Sequence, residues 1–101
     1  MTKADIVDAI ANGTGITKVE TEAIVEAFFH TLKNALKEGE TIEIRGFGSF
    51  KVKKRKPRIA RNPRTGDEVK VEEYYTPMFK VSKDLRAYVN ENMKKKEEQH
   101  S

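Results

Sequence analysis

Apolar positions along the first 38 residues recur with the period of a helix. Thr2-Lys3-Ala4-Asp5 is a helix start, an N-cap threonine with an acidic residue three places on, and Ile6, Val7 and Ile10 then share one face. Asn12-Gly13-Thr14-Gly15 closes that helix, and Thr17-Lys18-Val19-Glu20 opens a second, expected to run to about Glu38 with Gly39 as its stop. In this second helix Ile24, Val25, Phe28, Phe29, Leu32 and Leu36 spread over roughly 140° of circumference, wider than the ~100° stripe a surface helix needs. The excess calls for a second covering surface, and a subunit interface supplies one.

After Gly39 the period becomes two. Ile42 and Ile44 alternate with Thr41, Glu43 and Arg45, Gly46-Phe47-Gly48 turns the chain, and Phe50 and Val52 resume the alternation. From Lys53 the apolar half of the alternation is lost, through Lys53-Lys54-Arg55-Lys56-Pro57-Arg58-Ile59-Ala60-Arg61. Asn62-Pro63-Arg64-Thr65-Gly66 is a turn in which proline fixes its own φ, holds Asn62 extended, and Gly66 supplies a left-handed position. A return strand from Glu68 leads to Tyr74, Tyr75, Met78 and Phe79. Ser82 caps a last helix with Leu85, Tyr88, Val89 and Met93 inward, and residues 94–101 form a charged tail expected to fray. The pattern predicts one α+β domain over residues 1–101, with a flexible β-arm at about 53–76.

Charge sharpens this picture. Residues 1–50 carry five Lys/Arg and eight Asp/Glu, residues 51–80 carry ten against four, and residues 81–101 carry five against four, giving −3, +6 and +1 within the total of +4. So lopsided a middle segment points to a polyanionic partner. The 24 residues of the arm hold eight Lys or Arg and offer only Ile59, Ala60, Val69 and Val71 as apolar matter, so the arm cannot serve as core. The remaining 77 residues are barely enough for a lone core. The body is therefore expected to dimerise and the arm to project. Pro63 at the tip is rigid, apolar and lacks an N–H, so it is suited to wedge between base pairs and kink a duplex; the plainer alternative is a turn proline.

Other classes fare worse. There is no cysteine, hence no disulfide or cysteine-based metal site, and no metal or other cofactor is expected. No stretch is long and apolar enough to span a bilayer, and the N-terminus lacks a signal-peptide pattern, so a cytoplasmic protein with no membrane partner is expected. His30 and His100 stand outside any nucleophile or phosphate-loop motif, and an enzyme is not expected. A helix-turn-helix reader built on residues 3–38 would present Glu20, Glu22 and Glu26 to phosphates. A primary RNA or ribosomal role is disfavoured by the wide, shallow minor groove of A-form duplexes, although weak RNA binding is compatible with the charge.

Three segments in order, Gly46-Phe47-Gly48-Ser49-Phe50, Arg61-Asn62-Pro63-Arg64-Thr65-Gly66 and Pro77-Met78-Phe79-Lys80, resemble the HU/IHF family of bacterial histone-like DNA-binding proteins over about residues 2–93. The resemblance implies an intertwined dimer, homodimeric or paired with a paralogue, with a helical base and two β-arms that wrap the minor groove of double-stranded DNA in the nucleoid. On that pattern Pro63 intercalates, flanked by Arg61, Asn62 and Arg64. Lys53, Arg55 and Arg58 face phosphates along the arm, and Lys80, Lys83 and Arg86 meet DNA bending around the body. Ile24, Phe28, Phe29, Leu32, Leu36, Ile44, Phe47, Phe50 and Phe79 supply the dimer core and body packing. Two departures stand out: Val81-Ser82 replaces the family's usual Pro-Gly, and Ala60 replaces the glycine before the arm-tip arginine. Low sequence specificity is expected, with a sequence-specific bender of the same fold as the alternative.

Overall fold

Threonine caps open both N-terminal helices. In the computed structural model, which describes residues 1–100, α1 (Lys3–Thr14) starts from a reciprocal box: Thr2 N–H donates to Asp5 Oδ2 at 2.7 Å, and Asp5 N–H donates to Thr2 Oγ1 at 3.3 Å. The helix stops at Gly15, whose N–H returns to the Ala11 carbonyl. α2 (Lys18–Lys37) receives only half of such a box, Glu20 N–H donating to Thr17 Oγ1 at 3.2 Å, and it ends one residue short of the expected Glu38. The two helices pack through Val7, Ala11, Thr21 and Val25, the four buried positions among the described residues.

The strands follow as β1 (Ile42–Ile44), β2 (Gly48–Arg55), β3 (Arg58–Arg61), β4 (Glu68–Val71) and β5 (Tyr74–Val81), and α3 (Lys83–His100) completes the α+β order. β1, β2 and β5 form an antiparallel sheet in that order, with Ile42 opposite Phe50 and Phe50 opposite Phe79. Phe79 lies between Phe47 and Phe50, with ring centroids 5.5 and 4.8 Å away. Gly48 makes this cluster possible, because a Cβ there would stand 2.5 Å from the Lys80 carbonyl oxygen and 2.6 Å from the Phe79 ring.

The outgoing strand of the hairpin is not continuous. Pairing stops after Arg55 and Tyr74 and resumes at Arg58 and Val71 as a separate β3–β4 ribbon. Pro57 sits in the gap, where it has no N–H to give to a ladder. The register nevertheless carries across unchanged, and extending it sets Lys56 opposite Glu73 and Pro57 opposite Glu72. α3 also runs further than the apolar pattern suggests, through Lys94-Lys95-Lys96-Glu97-Glu98 to His100. Lysine and glutamate are good helix formers, and Glu91–Lys95 is an i,i+4 pair in its favourable orientation. The terminal Ser101 of the charged tail lies outside the described residues.

One chain covers little of its own apolar surface. A compact protein of this mass would expose about 5,800 Å², whereas this chain exposes 8,927 Å². Its radius of gyration is 19.4 Å, against about 13 Å for a compact chain of 100 residues. Ile24, Phe28, Phe29, Phe47 and Phe79 are each 40–59% exposed, and Leu32, Leu36, Ile44 and Phe50 are half-buried. The apolar stripe of α2 is thus largely open, as its 140° width requires.

The small α1–α2 core contains one polar defect: Thr21 is 1% exposed and its hydroxyl has no hydrogen-bond partner. A buried hydroxyl without a partner is destabilising, whereas valine has nearly the same shape and no such group. Thr21→Val should therefore stabilise the fold by about 1 kcal/mol, read as a higher denaturant midpoint with an unchanged slope.

Candidate nucleic-acid interface

Strand alternation sorts the basic residues into two faces. On the sheet, Phe50 and Val52 turn towards the helices, so Lys51, Lys53 and Arg55 turn to the opposite, outer face. Lys80, paired with Ser49, and Met78, paired with Lys51, join them there from β5. Arg55 reaches across to Met78, its Nη2 lying 3.5 Å from Sδ. Among the described residues none of Lys51, Lys53, Arg55 and Lys80 has a carboxylate within 4 Å, although Glu43, paired with Ser49 from β1, shares the face with Lys80. Lys51, absent from the residues picked out by the sequence, is a full member of the row; strict period-two counting from Phe50 reveals it.

Lys54 behaves differently. It lies on the helix-side face with Tyr75, forms a 3.1 Å ion pair with Glu73, and places its ammonium 5.8 Å from the Tyr75 ring centroid. The same division continues along the distal ribbon. Ile59, Arg61 and Lys70 follow the outer face, whereas Arg58 and Ala60, with Val69 and Val71, follow the other. Lys53 and Arg55 are therefore separated from Arg58, although the sequence suggested one line of phosphate contacts. Ile59 is 70% exposed, an apolar group in a cationic setting.

The tip is a closed six-residue turn. Asn62 N–H donates to the Asp67 carbonyl and Gly66 N–H to the Asn62 carbonyl, both at 2.8 Å. Inside it, Arg64 N–H donates to Asn62 Oδ1 at 2.9 Å and Asp67 N–H to Thr65 Oγ1 at 3.2 Å. Gly66 has φ 75°, the left-handed value the turn needs. Pro63 is left exposed at the apex between Asn62 and Arg64, with Arg61 one step below on β3. The asparagine thus has a structural task, holding the apex rather than projecting from it.

At the other end of the arm, α3 begins against the β1–β2 turn. Ser82 Oγ accepts from Leu85 N–H at 3.0 Å, the cap expected at that position, and Ser82 N–H donates to the Phe47 carbonyl at 3.0 Å. An open cleft here is lined by Arg45, Lys80 and Lys83, with Glu43 beside them. Arg45 had no role in the sequence pattern beyond its polar place in the alternation. Arg86 stands apart, at the rim of an apolar groove formed by Val81, Leu85, Val89 and Met93. Among the described residues there is no group of three or more His, Cys, Asp or Glu side chains suited to a metal ion, and no helix is long and apolar enough to cross a membrane.

The cationic face thus leads, in one register, into a proline-tipped ribbon. Integration host factor subunit beta of Vibrio cholerae is 44% identical over 91 residues, covering 89% of this chain and 99% of that one. Integration host factor subunit alpha of Myxococcus xanthus is 41% identical over 90 residues, covering 89% and 70%. Among solved structures, HU in an Anabaena HU–DNA cocrystal superposes with a TM-score of 0.82 at 34% identity, covering 88% of this chain and 97% of that one. HU from Thermotoga maritima gives 0.64 at 28% identity, covering 88% and 98%. The family model described as bacterial DNA-binding protein matches residues 1–90. The chain therefore belongs to the bacterial DNA-binding protein family, that of HU and integration host factor.

Proposed function

We propose that this protein is a dimeric architectural protein of the nucleoid that binds double-stranded DNA through the minor groove, with low sequence specificity, and bends it by inserting Pro63. The observation that carries the reading is the outer face itself, with Lys51, Lys53, Arg55 and Lys80 on a sheet whose register carries across the gap into the distal ribbon. Lysine and arginine along such a face displace condensed counterions, an attraction indifferent to base sequence. Minor-groove contacts add little beyond telling A·T from G·C. The proline, lacking an N–H, leaves water at small loss and enters a base step, and the unstacking it causes is offset by contacts between the bent duplex and the body.

Dimerisation is supported by the surface left open. The chain exposes about 3,000 Å² beyond the compact expectation, part of it the arm and part the apolar stripe of α2 with the Phe47–Phe79 cluster. Obligate dimer interfaces bury areas of that order. A homodimer is the simplest form, and a dimer with a paralogous subunit uses the same surface. RNA duplexes would be bound weakly, through phosphate attraction alone.

A sequence-specific bender is a second reading, favoured by the integration host factor subunits at 41–44% identity, against 34% for the HU of the DNA cocrystal. Affinity measured for a panel of random duplexes at one salt concentration separates the two. The low-specificity reading expects a spread well under a thousandfold, and a wider spread belongs to specific binders. Pro63→Ala should reduce the bend seen by fluorescence energy transfer across a short duplex, and should weaken binding to gapped DNA more than to intact duplex. Equal losses on the two substrates would reduce Pro63 to an ordinary turn residue.

A further inference from the structure

The arm is electrically asymmetric across its width. From Lys53 to Arg64 the outgoing strand carries seven Lys or Arg and no acid; from Thr65 to Thr76 the returning strand carries Asp67, Glu68, Glu72 and Glu73 against a single lysine, Lys70. Paired antiparallel, the two strands become the two edges of one ribbon, +7 on one side and −3 on the other. The ion pairs leave most of the contrast standing. Glu73 takes Lys54 across the ribbon at 3.1 Å and Glu72 takes Lys70 on the returning edge at 3.9 Å, which leaves six cations on the outgoing edge against Asp67 and Glu68 on the returning one. Lys53, Lys56, Arg58, Arg61 and Arg64 have no carboxylate within 4 Å among the described residues.

A minor groove is a slot roughly 6 Å wide with phosphates along both walls. The two strands of a ribbon are already about 4.8 Å apart before side chains are added. A ribbon set squarely in the groove would bring its second edge, with four carboxylates, against the second phosphate wall. Like charges at that range repel, and neither edge could then use its full complement. Tilting the ribbon about its long axis removes the conflict. The outgoing edge closes on one phosphodiester strand, and the returning edge lifts towards solvent.

We propose that the arm docks on DNA with this polarity: β3 and the distal part of β2 lie against one phosphodiester strand, and β4 faces away from the duplex. The proposal rests on the DNA-binding reading above and adds which edge of the arm makes the contact. It also gives Arg58 a task that the face-by-face division left open, since an edge contact draws cations from both faces of the same strand. Arg58 and Arg61 then serve together.

The absence of native cysteine allows a direct test. Ala60 and Val69 are uncharged, directly opposite one another and on the same face, Ala60 half-buried and Val69 exposed, so Ala60→Cys and Val69→Cys place the thiol at matched positions on the two strands. Each variant, coupled to an iron chelate that releases hydroxyl radicals, is bound to a short duplex and the backbone cleavage is mapped. The proposal expects cleavage from position 60 at least threefold stronger than from position 69. Equal or reversed cleavage in an intact complex overturns the polarity and leaves the DNA-binding reading standing. If the unlabelled protein forms no complex with the duplex at low salt, both fall. Two unlabelled variants probe the same polarity: Arg58→Gln should lower the slope of log affinity against log salt by about one, and Lys70→Gln should leave it unchanged. Equal changes at the two positions contradict the proposal.

Discussion

Apolar surface that one chain cannot cover is the constraint from which the rest of this molecule follows. Among the described residues only Val7, Ala11 and Val25 are buried and apolar, all at the α1–α2 contact. The stripe of α2, the Phe47–Phe50–Phe79 cluster and the inner side of α3 remain wholly or partly open. Burial contributes roughly 25 cal/mol per Å², so a core of this size cannot offset the entropy of ordering a hundred residues. On the dimeric reading proposed above, a partner surface completes it. Once the body is completed in that way, the arm is free of any duty to the core, and its composition can answer to a polyanion instead.

Much of this was legible in the sequence because the controlling signals are local. Threonine caps, glycine stops and the switch of apolar period from 3.6 to two at Gly39 locate both N-terminal helices and the first strands within a residue or two. The Asn62–Asp67 turn was legible for the same reason: proline, asparagine and glycine each impose one backbone preference, and the three agree. Ser82 caps α3 although the surrounding residues depart from the family's pattern.

What the sequence hid are relations between strands. Pro57 has no donor for a ladder, but that alone does not reveal that pairing stops on both sides of it while the register survives. The grouping of Lys53, Arg55 and Arg58 came from the family resemblance, and the odd spacing from Arg55 to Arg58 sets the last on the other face of the ribbon. Lys51 and Arg45 went unnoticed because each is only the polar half of an alternation; their significance comes from Lys80 and Lys83, which the fold brings beside them. The tail of α3 was judged by its lack of apolar residues, but the helix propensity of its lysines and glutamates carries the helix on to His100.

Body and arm are thus two answers to one shortage of core, and the association of chains is where they meet. Sedimentation of the free protein at micromolar concentration tests this most directly, since it needs no DNA and no variant. The account predicts a particle of twice the 11.5 kDa chain mass, with compactness regained by the body. A folded, stable particle of single-chain mass would contradict it, because the apolar face of α2 would then stand in water without a partner.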